Sequence, residues 1–388
     1  MKEELFLPKD DRDKISELPD NILLHMMDFM DTREAVQTCV LSKRWNNLWK
    51  RLSTLLFNTS KFESVFKINK FLCRFLSDRD DSISLLNVDL DVGPPIELEL
   101  YLSGVLYRPP IELELLHRIM EYAVSHNCQR FTINTGIGFK FEVVTVIFFC
   151  PSLTNLRLSC GTPLGRTCKL PKSLQLPVLE TLHLHSVFFT ASDNGCAEPF
   201  SKCFLLNTLV LKRCVLDEHA EVICISNSNL SCLVLDNTLK GAGTIVLSTP
   251  KLRLLTIQDY ACRNKYSTTH YEDSSVCPSW LQLVTNVKEL ILSAKTIRFI
   301  LKLALKVLDS VRIQPPGFVN LESLVVKRDS LDFVSDEEVH CIVRFLLQNS
   351  ILTLDVEKTE KVIYTNSLFK YLGNVFLEDD NLKTLTNL

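Results

Sequence analysis

The sequence predicts an α/β chain in two parts. A small three-helix unit comes first, then a solenoid of stacked repeats, a curved parallel sheet with helical or irregular returns. Two observations carry this. Apolar residues in 15–52 fall at helical spacing in three short runs. Beyond them a pattern of six residues, L-x-x-L-x-L, recurs in order along most of the chain. The 388 residues suit one small domain plus a solenoid.

In the first run Pro19 fits a first helical position, where its missing N–H is harmless. Ile22, Leu23, Met26, Met27 and Met30 follow on one stripe. Asp31 opens the second run, with Glu34 at capping-box spacing and Ala35, Val36, Cys39 and Val40 as its apolar face. Ser42 is placed to cap a third helix. Trp45 and Trp49, four apart, share a face of that helix, extended by Leu41 and Leu48. About forty residues bury too little surface to stand easily alone, so part of this apolar surface is expected to meet a partner.

Taken in order, Leu18-Pro19-Asp20, Ile22-Leu23, Ala35-Val36-Gln37-Thr38, Leu41-Ser42-Lys43-Arg44-Trp45 and Leu48-Trp49 resemble the F-box of plant F-box/leucine-rich-repeat proteins. That resemblance implies a non-catalytic, substrate-recognition subunit of an Skp–cullin–F-box ubiquitin ligase. It implies docking on the Skp-type adaptor, and through it on the cullin-RING ligase, by Leu18, Pro19, Ile22, Leu23, Val40, Leu41, Ser42, Trp45, Leu48 and Trp49. Relatives of this kind often carry a further C-terminal module, called FBD. Residues 357–388 show no convincing copy of it, and their structure is not legible.

The repeat template reads Leu153-Leu156-Leu158, Leu179-Leu182-Leu184, Leu206-Leu209-Leu211, Leu230-Leu233-Leu235, Leu252-Leu255-Ile257, Val287-Leu290-Leu292 and Leu321-Leu324-Val326. Two looser copies precede it, Ile83-Leu86-Val88 and Cys128-Phe131-Ile133. Most steps between middle residues lie near the 20–29 of leucine-rich repeats. One such unit cannot cover its own apolar face, so stacking is required. The expected layout is a mobile, charged stretch 1–14, an F-box over 15–60 ending in a strand-like exit, and the solenoid over 61–356. Val65, Ile68, Leu72, Phe75 and Leu76 mark a helix directly after the F-box. One long step has a visible cause: Pro94-Pro95-Ile96-Glu97-Leu98-Glu99-Leu100 recurs fifteen residues later from Pro109. Residues 94–108 read as a local duplication looped out of the solenoid. The second copy flows into a helix with Leu116, Ile119, Met120, Ala123 and Val124 on one face. Later, helices are expected near 278–280 and 335–347, and a last strand over 352–356.

Charge is nearly balanced, 43 basic against 46 acidic residues, which argues against a general nucleic-acid surface. Lys43-Arg44 and Lys50-Arg51 read as the solvated side of the third helix. The 14 cysteines include no C-x-x-C, and Cys128, Cys150 and Cys232 lie in apolar strand patterns. Buried reduced thiols are therefore expected, rather than zinc or a disulfide framework. The opening residues are charged, and the longest apolar run, near 143–150, is short of a membrane span. A cytoplasmic or nuclear protein is expected, without a membrane partner.

No Walker motif, H-E-x-x-H, nucleophile elbow or dinucleotide fingerprint appears. His183 and His185 share a strand face, but no third metal ligand is evident. No cofactor and no catalytic group are expected; a receptor of this kind acts by bringing its target close to the reacting centre. Target binding then falls to the residues between the repeat leucines. Arg157 and His183 lie in the central concave column, and His185, Lys212 and Asp236 in its neighbour. The target itself is not readable. The alternative is a leucine-rich-repeat scaffold or inhibitor acting outside a ubiquitin ligase, its N-terminal helices merely capping the solenoid. The two differ in whether Leu18-Pro19 and residues 41–49 are exposed or packed on the first repeat.

Overall fold

The computed structural model describes residues 15, 17–92, 113–135, 146–160, 168–192, 195–216, 222–236, 244–258, 286–298 and 320–327. The duplication 94–108, the stretches 278–280, 335–347 and 352–356, and both chain ends (1–14 and 357–388) lie outside them. The chain divides into two compact units, 1–136 and 137–388.

The first unit opens with helices α1 (Asp20–Met27) and α2 (Thr32–Gln37), a 3₁₀ turn Thr38–Val40 and a 3₁₀ helix Trp45–Arg51. Strand β1 (Thr54–Asn58), helix α3 (Val65–Asp78), strand β2 (Asn87–Val92), helix α4 (Leu113–Ser125) and strand β3 (Arg130–Thr135) follow. Several expected details change. Pro19 is the N-cap of α1, one residue before the first helical position. Asp31 does cap α2, accepting from Arg33 N at 2.9 Å. Glu34 keeps its capping-box place, its carboxylate taking a backbone hydrogen bond from Asp31; it also pairs with Lys61 Nζ at 2.8 Å, and that pairing does most to lower the carboxyl pKa. Ser42 caps nothing with its side chain, and its carbonyl accepts from Trp45 N.

The third helix is the larger correction. It is 3₁₀, with three residues per turn, so positions three apart eclipse. Trp45 and Leu48 therefore share the inward face and are buried. Trp49 is turned off that face, its ring 5.4 Å from Phe75 of α3. The basic side is not simply solvated either. Arg44 donates from Nη2 at 2.7 Å and from Nε at 2.9 Å to Asp20 Oδ1, joining the third helix to the start of the first.

β1, β2 and β3 pair in parallel in that order. The register matches Leu55 with Val88 and Val88 with Phe131. Two corrections to the repeat count follow. The copy expected as Ile83-Leu86-Val88 is Leu85-Val88-Leu90, all buried, while Leu86 is exposed. A slip of two residues preserves the inside–outside alternation, so the pattern alone does not detect it. The strand-like exit is itself a repeat strand, and Leu52-Leu55-Phe57 is a buried copy of the template.

α3 and α4 return the chain between these strands. Ser64 caps α3, and Ile68, Leu72, Phe75 and Leu76 are its buried stripe, as the spacing predicts. α4 buries Leu116, Ile119, Met120 and Ala123. Arg79, buried just after α3, fastens the pieces. Its Nε donates to Tyr122 Oη at 3.0 Å and its Nη2 to the Leu52 carbonyl at 2.6 Å. The guanidinium also lies 5.6 Å from the Phe75 ring and 5.9 Å from that of Tyr122.

The second unit carries a parallel sheet of β4 (Asn155–Cys160), β6 (Thr181–His185), β9 (Thr208–Lys212), β12 (Cys232–Asp236), β14 (Leu254–Gln258), β15 (Glu289–Ser293) and β16 (Ser323–Lys327). Leu156, Leu182, Leu209, Leu233, Leu255, Leu290 and Leu324 are matched across all seven strands. These are the middle leucines read from the sequence, and all are buried. Several returns differ from expectation: they contain strands. β5 (Cys168–Lys169), β7 (Val187–Phe189) and β10 (Val215–Leu216) form one three-stranded sheet. β8 (Cys196–Ala197), β11 (Val222–Ser226) and β13 (Thr244–Ser248) form another.

A regular hydrogen-bond ladder fixes the strand starts. One carbonyl accepts two successive N–H groups of the next strand. Asn207 and Thr208 donate to Glu180, Ser231 and Cys232 to Asn207, Arg253 and Leu254 to Ser231. The pattern continues with Lys288 and Glu289 on Arg253, then Glu322 and Ser323 on Lys288. At the other end of β6 and β9, Ser186 (φ 56°) and Arg213 (φ 51°) adopt the left-handed region at matching positions. They turn the chain towards β7 and β10, and their N–H groups donate to the carbonyls of Lys212 and Asp236 at 2.8 Å.

Candidate functional site

Two surfaces follow from this architecture. The first is on the N-terminal helices. α1 buries Leu23 and Met27 but leaves its other side apolar: Ile22 is 41% exposed, Met26 44% and, in the turn after the helix, Phe29 75%. These recur at i, i+4 and i+7, one helical face. Val40 and Leu41, at the 3₁₀ turn, are 83% and 63% exposed. Pro19 and Ser42 are exposed, and Leu18 is half-buried. Of the ten residues expected to meet an adaptor, Leu23, Trp45 and Leu48 are interior and support the helices instead. Trp49 is half-buried, its indole N–H donating to the Asn46 carbonyl at 3.0 Å. Met26 belonged to the expected buried stripe, and Phe29 had no place in it. The signal for both is present: a helix with large apolar residues on two sides has more apolar surface than one core can cover.

The second surface is the face of β4, β6, β9 and β12 between the buried leucines. The register aligns Arg157, His183, Val210 and Val234 in one row and Ser159, His185, Lys212 and Asp236 in the next. Arg157 and Lys212 are exposed; His183, His185 and Asp236 are half-buried. His185 is fixed in place, Nδ1 lying 2.9 Å from Ser159 Oγ. Burial, then the charges of Arg213 and Lys212, push its pKa down to about 4, so the imidazole is neutral at pH 7. Val210 and Thr256 of the central row are buried and cannot contact a ligand.

Sequence reasoning missed an open groove of about 870 Å³ at the strand starts, lined by Glu180, Asn207, Asn229, Ser231, Lys251 and Arg253 among others. Its polar groups are largely engaged with one another: Lys251 Nζ with Asn229 Oδ1 and Ser231 Oγ with Asn207 Oδ1, both at 2.9 Å. Burial raises the thiol pKa of Cys203 and Cys232 to about 11, so neither is a nucleophile at neutral pH. Among the described residues no helix is long and apolar enough to cross a membrane.

The family model for the F-box domain matches residues 15–57. An FBD-associated F-box protein of Arabidopsis thaliana is 27% identical over 347 residues, 79% of this chain and 72% of that protein. An F-box protein of the same plant is 24% identical over 380 residues, 87% of this chain and 89% of its own length. A third, an F-box/FBD/LRR-repeat protein, is 26% identical over 353 residues, covering 81% and 71%. An F-box match on exposed apolar helices, in-register leucine strands after it and these relatives together support a plant F-box/leucine-rich-repeat family protein.

Proposed function

We propose that this protein is the substrate-recognition subunit of an Skp–cullin–F-box ubiquitin ligase. The N-terminal helices bind the Skp-type adaptor, and the repeat face around Arg157, His183, His185, Lys212 and Asp236 binds a target protein. It performs no chemistry itself. The division into F-box 15–60, solenoid 61–356 with 94–108 looped out, and a separate segment 357–388 is part of this reading, as is a cytoplasmic or nuclear location. The observation that supports it is the exposed apolar set Ile22, Met26, Phe29, Val40 and Leu41 on a small helical unit. The adaptor surface is accordingly these five with Leu18, Pro19, Ser42 and the outer edge of Trp49, while Leu23, Trp45 and Leu48 hold it in shape.

Co-expression with a Skp-type adaptor tests this. Val40→Asp with Leu41→Asp should reduce capture at least tenfold without changing the helical content or the melting temperature. Arg157→Ala, His183→Ala and Lys212→Ala together should leave the adaptor bound and change the proteins that co-purify. Full capture by the Val40/Leu41 variant would sink the receptor reading. A scaffold reading draws support from one observation, the packing of Trp49 against Phe75 of the first return helix. It requires that the Val40/Leu41 variant keep every partner of the wild type.

A further inference from the structure

The return strands of the second unit assemble a group of side chains that the repeat architecture does not need. β8 pairs with β11 in parallel, Cys196 opposite Val222 and Ala197 opposite Ile223. The two-residue period of a strand puts Cys196 and Glu198 on one face. The same period carries that face from Val222 to Cys224, level with Glu198. The side chains meet. The Sγ atoms of Cys196 and Cys224 are 2.7 Å apart, and Cys196 Sγ is 3.8 Å from Glu198 Oε1. All three potential ligand atoms lie within 4.8 Å of one another. Both cysteines are half-buried and Glu198 is exposed, so the group opens on solvent.

We propose that Cys196, Cys224 and Glu198 form a three-ligand site for a thiophilic divalent cation, Zn²⁺ in the first instance, with a fourth position open to water.

Sulfur and carboxylate ligands in a group of three, with one side open, match zinc and not the all-oxygen preference of calcium or magnesium. The sulfurs need to spread to about 3.7 Å, the edge of a tetrahedron with Zn–S bonds near 2.3 Å. A disulfide is the competing outcome, since Sγ atoms 2.7 Å apart can also close to a bond; both cysteines are free thiols here. On binding, each thiol gives its proton to solvent as its Zn–S bond forms, and no electrons are transferred. The bound ion would tie together the returns of two successive repeats. The sequence concealed the site because its ligands come as C-x-E and a cysteine 28 residues after the first, not as C-x-x-C.

The test uses the full chain, reduced and stripped of metal, titrated with Cd²⁺ as a thiolate-sensitive probe and with Zn²⁺ in competition. One equivalent should bind, with a thiolate-to-metal charge-transfer band that Zn²⁺ displaces. Cys196→Ser and Cys224→Ser should each abolish that step, while Cys39→Ser, elsewhere in the chain, keeps it. Glu198→Gln should weaken binding about tenfold or more, at least the loss that follows removal of a supporting partner. Because Glu198 is exposed, that variant folds even if a cysteine variant does not, and its unchanged affinity would overturn the proposal. So would a band that survives in either cysteine variant, or a reduced chain that takes up no equivalent. Mass spectrometry showing a Cys196–Cys224 disulfide in a chain that refuses metal when reduced also overturns it.

Discussion

In the first unit the chain returns between strands through α3 and α4, helices of 14 and 13 residues; in the second, between β4 and β14, it returns through strands of two to five residues, and after β15 a helix begins over 294–298. Spacing explains the difference. Leu55 to Val88 is 33 residues and Val88 to Phe131 is 43, whereas Leu156, Leu182, Leu209, Leu233 and Leu255 follow at 26, 27, 24 and 22. A 14-residue helix is about 21 Å long, as long as the strand it must reverse, and needs a turn at each end. The longer steps have room for it, and the shorter ones do not. The cores follow suit. Helical returns bring aromatic rings together, Phe57, Phe71 and Trp49 each within 5.7 Å of Phe75. Between the described strand returns the filling is mostly leucine, valine and cysteine, with an edge-on ring pair, Phe189 and Phe200.

The largest expected effect comes from cutting one core in each unit. Phe131→Ala should cost about 3–5 kcal/mol and Leu209→Ala about 2–5 kcal/mol, read from denaturant midpoints. Hydrogen exchange should show each loss in its own strand and that strand's neighbours. Equal loss of protection throughout the chain would erase the distinction between the units. Next is Arg79→Ala, which removes two hydrogen bonds from a buried guanidinium and should cost about 2–3 kcal/mol. Arg79→Lys should not restore it, because an ammonium lacks the planar fork.

The histidine pH effect belongs to the second unit. His185 has a native pKa of about 4 against 6.5 unfolded, so the unfolded chain takes up the proton first. Its stability should be complete above about pH 6.5 and fall by about 1–3 kcal/mol as the pH drops towards 4. His185→Gln should flatten that part of a melting-temperature profile. Asp31→Ala should cost about 1 kcal/mol, the worth of a helix cap, raised somewhat by the lost bond from Asn58 N at 3.1 Å. Smallest of all, Phe29→Ala should shift stability by less than about 0.5 kcal/mol. A larger loss would mean that Phe29 is part of the F-box core and not of its outer surface.

The repeat leucines were legible because each must face inward at a fixed offset, and a one-residue error would turn every side chain outward. The same rule explains the misreading at Ile83-Leu86-Val88, where a two-residue error still points Val88 inward and misplaces Leu86, exposed at the strand's entry. Return type was not legible, since segments such as Val222–Ser226 and Thr244–Ser248 are short apolar runs that suit a strand or an irregular return equally. At the candidate adaptor surface, sequence spacing assumed an α-helix from Trp45. The 3₁₀ geometry moved Leu48 into Trp49's expected place, and no residue in WNNLWKR announces that change. Arg157, His183, His185, Lys212 and Asp236 were placed in their rows because strand parity alone determines the row.

The doubled hydrogen bonds at the strand starts bear on how such a chain can diverge. Each new strand is set by one carbonyl of its predecessor, so its position does not depend on the length of the intervening return. Arg253 seats Lys288 and Glu289 across 35 residues as firmly as Ser231 seats Arg253 and Leu254 across 22. Segments between strands are therefore free to lengthen, shorten or duplicate during descent while the sheet stays aligned. Lineages that share this scaffold can grow new recognition loops without re-engineering the frame that carries them.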